Sequence, residues 1–180
     1  MVPVPEDLML ASWEELRERL AGYFAARSRG LLASEFVLSS RSGEEFGRLR
    51  VHGPGGAELE TGIARAEIER TAPSRYRILT GAAETLVANS RSGALELRWG
   101  MRTYDAGLDL LRNTAVARHP GGGEAARIAG GLANRSYDAV FDPADEGSLP
   151  VAIFLLYHTV MLRRRAFLAG AKGGGASNNA

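Results

Sequence analysis

An antiparallel β-barrel closed around one apolar C-terminal helix, α+β but mainly β, is the fold this chain predicts. Three observations predict it. Apolar and polar residues alternate with a period of two from residue 34 to residue 142, punctuated by Gly, Pro, Ser and Asn. One strongly apolar run then follows, Leu149 to Leu162 (LPVAIFLLYHTVML), which Arg163, Arg164 and Arg165 end directly. Finally, a barrel of about ten to twelve strands is too wide for its own side chains to fill, and a helix that is apolar on nearly every face needs to be surrounded.

Taken in order, the first element is an amphipathic helix. Ser12 and Glu15 have capping-box spacing, Trp13, Leu16, Leu20, Tyr23 and Phe24 recur at helical intervals, and Gly30 is the predicted stop. Strands follow. The clearest is Ala94 to Trp99, with Leu95, Leu97 and Trp99 opposite Glu96 and Arg98; Ala64, Ala66 and Ile68 alternate in the same way with Arg65, Glu67 and Glu69. Tyr137, Ala139 and Phe141 do so with Ser136 and Asp138. Further strands are predicted at Glu35 to Ser39, Phe46 to His52, Arg75 to Leu79, Glu84 to Ala88, Leu108 to Leu111, Ala115 to Arg118 and Arg127 to Ala129. The tetrapeptide Ser-Arg-Ser-Gly occurs at residues 40–43 and 90–93 and, with His119 to Gly123, predicts hairpin tips. Asp142, Pro143, Asp145, Glu146, Ser148 and Pro150 supply the start of the closing helix. This run of fourteen residues falls short of the roughly 20 that cross a bilayer, so no transmembrane segment is expected. The predicted divisions are an N-terminal helix over 1–31, a barrel with its helix over 32–168 and a flexible tail over 169–180.

With 180 residues, 45% hydrophobic and 24% charged, the chain is long enough and apolar enough for one folded domain. Net charge is +1, which gives no global field to recruit nucleic acid. Residues 1–70 carry nine Arg against twelve acids and residues 71–180 thirteen bases against nine acids, a balance of −3 and then +4. Cys is absent, which excludes disulfides, thiolate catalysis and Cys-bound zinc and fits a reducing compartment. The start, MVPVPEDLML, lacks a basic n-region and a long apolar core, so a cytoplasmic protein is expected. The sequon Asn134-Arg135-Ser136 is then a chance match.

Motifs for chemistry are few. Gly121-Gly122-Gly123-Glu124 lacks the Gly-Lys-Ser/Thr of a phosphate-binding loop, and His52, His119 and His158 have no metal-ligand spacing. His158, inside the apolar run, reads as a hydrogen-bonded core histidine. Asp105 and Asp109 flank Gly107 in what reads as a turn, with Asp109 and Arg112 facing solvent. No catalytic residue, metal or cofactor is therefore assigned.

Strands throughout, then Asn134-Arg135-Ser136-Tyr137-Asp138-Ala139-Val140-Phe141-Asp142, then the apolar helix: in this order the sequence resembles the tubby C-terminal-like superfamily over residues 32–168. That superfamily includes the tubby proteins, the phospholipid scramblases and the LURP-one-related proteins of plants and bacteria. The resemblance implies a closed barrel wrapped around the C-terminal helix. It also implies contact with membranes or phosphoinositide headgroups, although residues 32–168 contain no Lys with which to match the Lys and Arg cluster of tubby proteins.

From these readings the chain is expected to be a non-enzymatic binding module whose partner is acidic lipid at the membrane surface or another anion. The site residues are Arg163, Arg164 and Arg165, joined at the barrel mouth by Arg98 and Arg102. The three consecutive Arg also suit a helix C-terminus electrostatically. Two other functions compete: a carrier or enzyme with a lipocalin-like cavity, which needs the closing helix outside the barrel, and a scaffold that binds protein partners through an exposed Trp13 helix.

Overall fold

The computed structural model describes residues 6–30, 34–91 and 94–173. Helix α1 (Glu6–Leu20) is followed by twelve strands among the described residues. These are β1 (Tyr23–Arg29), β2 (Glu35–Ser39), β3 (Glu45–Val51), β4 (Gly56–Thr61), β5 (Arg65–Ala72) and β6 (Arg75–Thr80). There follow β7 (Ala83–Arg91), β8 (Ala94–Trp99), β9 (Arg102–Asp109), β10 (Thr114–Arg118), β11 (Glu124–Gly130) and β12 (Ser136–Phe141), and then helix α2 (Ser148–Gly173).

Each strand pairs antiparallel with its sequence neighbours, and β1 closes the barrel against β12 in the register Phe24 to Ala139. Odd-numbered strands therefore all end at one rim and even-numbered strands at the other. Inward positions alternate as expected: Phe36 and Leu38, Leu49 and Val51, Leu95 and Leu97, and Tyr137, Ala139 and Phe141 are all buried. The outer wall carries Arg48, Arg50, Glu58, Glu67, Glu96 and Arg98, the reverse of the apolar outer band of a lipid-embedded barrel.

The lumen is occupied by α2. Every residue from Ser148 to Met161 is buried. On one side the helix lies against β10, β11 and β12; on the other, Phe154 and Tyr157 meet the ring of Tyr76 on β6 at 5.6 and 6.2 Å. A barrel this wide has no other way to fill its centre at interior packing density. The lipocalin-like cavity required by the carrier reading is taken up by this helix, so that reading is withdrawn. Among the described residues no helix is long and apolar enough to cross a membrane.

Several sequence readings need correction. The first helix ends at Leu20, not at Gly30, and Ser12 lies inside it. Ala21 and Gly22 take φ of 48° and 85°. A Cβ on Gly22 would sit 2.9 Å from the Phe141 carbonyl oxygen, so glycine alone lets the chain turn there without strain. Tyr23 and Phe24 then belong to β1, and the barrel wall starts at residue 23, within the stretch predicted as a helical N-terminal unit. Their spacing from Leu20 suits a helix as well as it suits the start of a strand, which explains the misreading. Strand β4 was not expected, although Ala57 and Leu59 alternate with Glu58 and Glu60.

The predicted strand at Leu108 to Leu111 is displaced. Strand β9 spans Arg102–Asp109, so Tyr104, Asp105 and Gly107 are in a strand and not a turn, while Leu110 and Leu111 stand outside the wall. Helix α2 runs on to Gly173, into the stretch predicted as tail; residues 174–180, and Ser92 and Gly93 of the second predicted tip, lie outside the described residues. Ser40 to Gly43 and His119 to Gly123 do form tips, closed by bonds from Ser40 N to Glu44 O (2.8 Å) and His119 N to Gly123 O (2.8 Å).

Candidate functional site

The two rims differ in chemistry, and the predicted arginines are divided between them. Helix α2 enters the barrel at the rim where even-numbered strands end and leaves at the rim where odd-numbered strands end. Arg98, near the end of β8, and Arg102, at the start of β9, are at the entry rim. Arg163, Arg164 and Arg165 are at the exit rim, about 22 Å further along the helix axis from Ser148 at 1.5 Å per residue. The five arginines thus do not form one site.

At the exit rim, Arg163 is engaged in structure. Its Nη1 donates to the Gly131 carbonyl oxygen (3.1 Å) and lies 3.5 Å from the Tyr137 hydroxyl. That hydroxyl donates to Asn134 Oδ1, and Asn134 Nδ2 reaches the Val160 carbonyl oxygen (3.5 Å), so the β11–β12 connection latches the emerging helix. Burial pushes the Tyr137 hydroxyl pKa up against the pull of Arg163 and Arg164. Arg164 is half-buried, and desolvation lowers its pKa from the usual arginine value. Arg165 is exposed, as are Ala166, Phe167, Leu168 and Ala169. Five successive exposed residues cover all faces of a helix, so α2 stands clear of the barrel from this point.

Sequence reasoning did not foresee the rest of this rim. In the β9–β10 turn, Leu110 and Leu111 are 50% and 100% exposed, and on the emerging helix Phe167 and Leu168 are 78% and 62% exposed. Arg29, Arg75 and Arg91 end or begin strands at the same rim, Arg112 and Arg135 lie in connections there, and all five are exposed. Nearby acids are paired: Glu35 with Arg50 (3.3 Å), Glu69 with Arg77 (2.9 Å) and Asp109 with Arg112 (3.7 Å). The usable signal was Leu110-Leu111 followed by Arg112-Asn113, because two consecutive leucines beside a turn break the polar pattern that turns follow.

The entry rim is built differently. Asp145 is 3% exposed and its Oδ1 accepts bonds from Arg102 Nη1, from the Tyr104 hydroxyl (3.0 Å) and from Gly147 N (3.3 Å). His119 Nε2 is 3.9 Å from the other carboxylate oxygen. Burial first, and then the hydrogen bond to Asp145, pushes the Tyr104 hydroxyl well above its usual range. Arg102 also pairs with Glu146 at 3.3 Å and is thereby tied into the barrel, which removes it as a free anion ligand. Gly147 is a close approach: a Cβ there would meet the Tyr104 hydroxyl at 2.3 Å. Arg98 points outward from β8 between Val87 and Thr103 in register.

Helix α1 closes the entry rim. Trp13, Leu16 and Leu20 are buried, Trp13 Nε1 donates to Thr80 Oγ1 (2.9 Å), and the Trp13 ring meets Trp99 edge to face at 6.1 Å. The Trp13 face is consequently engaged with the barrel, not held out for a partner. His158, on α2, stacks on Phe154 and meets Tyr76 edge-on, both at 5.8 Å.

No family model matches the chain, and no curated protein does. Among solved structures, the X-ray structure of a protein from Arabidopsis thaliana is similar, with a TM-score of 0.53 over 75% of this chain and 90% of that one. Identity is 12%. The likeness shows the fold alone. What this chain binds has to be argued from its own rims.

Proposed function

We propose that the chain is a non-enzymatic binding module that docks its exit rim on an anionic surface, namely acidic lipid headgroups at a membrane. One observation carries the reading: exposed arginines and exposed large apolar side chains converge on the same end of the barrel. Arginines near a charged bilayer contribute about 1 kcal/mol each. A leucine or phenylalanine side chain moved out of water contributes roughly 1.5–3 kcal/mol. Neither contribution alone holds a protein at an interface firmly, and the exit rim offers both. The closed barrel around its helix is also the architecture that the tubby-like resemblance implies, which supports membership of that superfamily. The lack of Cys supports a reducing, cytoplasmic setting with the protein peripheral at the membrane.

Flotation with vesicles tests this. Binding is expected to vesicles containing phosphatidylserine and not to neutral phosphatidylcholine. It should fade between low salt and about 1 M salt, as the Debye length shrinks to about 3 Å. Arg112→Ala with Arg165→Ala should weaken partitioning by about 2 kcal/mol, roughly thirtyfold. Leu111→Ala should weaken it at every salt concentration. Arg163 is a poor probe because it also holds Gly131. Absence of flotation at low salt, or equal flotation on neutral vesicles, rejects the reading.

A further inference from the structure

At the entry rim, away from the surface just discussed, a cleft of about 200 Å³ opens between α1 and the β8–β9 turn, lined by Trp13, Glu14, Arg17, Trp99 and Glu146. We propose that this cleft binds a small zwitterion of the α-amino acid type, with the carboxylate on Arg17 and the ammonium between Glu14 and Glu146.

The argument starts from Arg17. Its side chain is only 10% exposed, yet its Nε has no hydrogen-bond partner among the described residues, and its contact with Glu14 is 3.9 Å, beyond hydrogen-bonding distance. An arginine that merely covers apolar surface lays its stem on that surface and keeps its head in water. Arg17 buries both. A buried donor left without a partner is costly, and the group whose geometry matches the planar guanidinium fork is a carboxylate.

The rest of the cleft selects among carboxylates. A simple anion would have to approach two acids at the rim, the Glu14 and Glu146 side chains, which are 63% and 66% exposed. A simple cation would meet the buried Arg17. A molecule bearing both charges satisfies both ends at once. Size narrows the class further, since about 200 Å³ lies below the roughly 300–1,000 Å³ of sites that take drug-sized ligands and so suits a zwitterion with a short side chain. The walls are held in advance: Thr80 fixes Trp13, and Arg102 holds Glu146 at 3.3 Å. Such preorganisation reduces what binding must spend on ordering.

The chain contains two Trp, and both line this cleft, so intrinsic fluorescence reports on it directly. The full-length protein is titrated with glycine and L-alanine, and with acetate and methylammonium at matched ionic strength as half-charged controls. A saturable emission change is expected with glycine or L-alanine, at least tenfold weaker with either control. Arg17→Met, which replaces a buried charge by an apolar chain of similar length, should abolish the response while circular dichroism stays unchanged. Glu14→Gln, at an exposed position that does not hold the fold, should weaken it severalfold. No saturable change with either amino acid, acetate binding as tightly as glycine, or an unaltered response in Glu14→Gln overturns the proposal.

Discussion

His158 shows how a single residue in this protein couples to pH. Burial, with a smaller push from Arg165, brings its pKa down from 6.5 to about 4. Between these values the unfolded chain binds a proton that the folded chain does not, so stability rises with pH across that window and is lost as pH falls. A depression from 6.5 to about 4 corresponds to roughly 3 kcal/mol, present above pH 6.5 and gone by about pH 4. Urea midpoints measured from pH 7.5 to pH 4 should decline more steeply in the natural protein than in His158→Phe, whose ring can stack on Phe154 without titrating. Identical profiles would remove this assignment. Asp145 is the second residue with a clear consequence, because its one carboxylate joins Arg102, Tyr104 and Gly147 where α2 enters the barrel. Asp145→Ala should cost about 3 kcal/mol in urea unfolding, since it leaves the Tyr104 hydroxyl and the Gly147 N–H unsatisfied. Arg102→Met should cost less, because the Arg102 side chain is 44% exposed.

Among the elements, α2 matters most. Its buried part, Ser148 to Met161, supplies the centre that the strands cannot, and Phe154, Leu155, Leu156 and Tyr157 are at most 1% exposed. Removal would leave an empty, apolar-lined lumen, a far larger void than those whose cost is known from core truncations. A chain ending at Ala144 should therefore show no cooperative thermal transition and little near-ultraviolet circular dichroism; a native-like melt from that fragment would show that the wall stands without its helix. Helix α1 has a lesser role. It is attached at one rim by Trp13, Leu16 and Leu20 and by the ion pair between Arg19 and Glu44 on the β2–β3 turn. That ion pair is exposed and contributes little, so the burial of Trp13 dominates the attachment.

For the molecule as a whole, a net charge of +1 conceals a separation of charge along the barrel axis. Arg29, Arg75, Arg91, Arg112, Arg135 and the Arg163–Arg165 run outnumber Glu35, Glu69 and Asp109 at the exit rim, whereas Glu14, Glu44, Glu84, Glu124, Asp145 and Glu146 outnumber Arg17, Arg19, Arg98 and Arg102 toward the entry rim. A protein with this separation turns its basic end toward an acidic membrane before any contact forms. The salt dependence expected in flotation is therefore a property of the whole molecule, while the loss expected from Leu111→Ala belongs to one turn. The two functional proposals also separate by geometry: with the exit rim on a bilayer, the cleft at Arg17 faces away from it.

Most of the wall was legible from residues 34 to 142, because a half-buried strand must alternate and Ala94 to Trp99 or Ser136 to Phe141 can alternate in no other useful way. The burial of the C-terminal helix was legible too, since a largely apolar run of fourteen residues is too short to cross a bilayer and too long to leave in water. The site was not legible. Arg98 and Arg102 looked like neighbours of Arg163, yet strand direction places them at opposite rims, and strand direction is set by the closure of twelve strands. The exposure of Leu111, the burial of Arg17 and the engagement of Arg163 by Gly131 likewise depend on which distant segments surround each side chain. Local periodicity and the need for an enclosed helix are written in the order of residues, because both follow from each residue's relation to water and to its near neighbours. Which charges converge is settled by the closed barrel, because convergence depends on long-range packing that leaves no mark on local spacing.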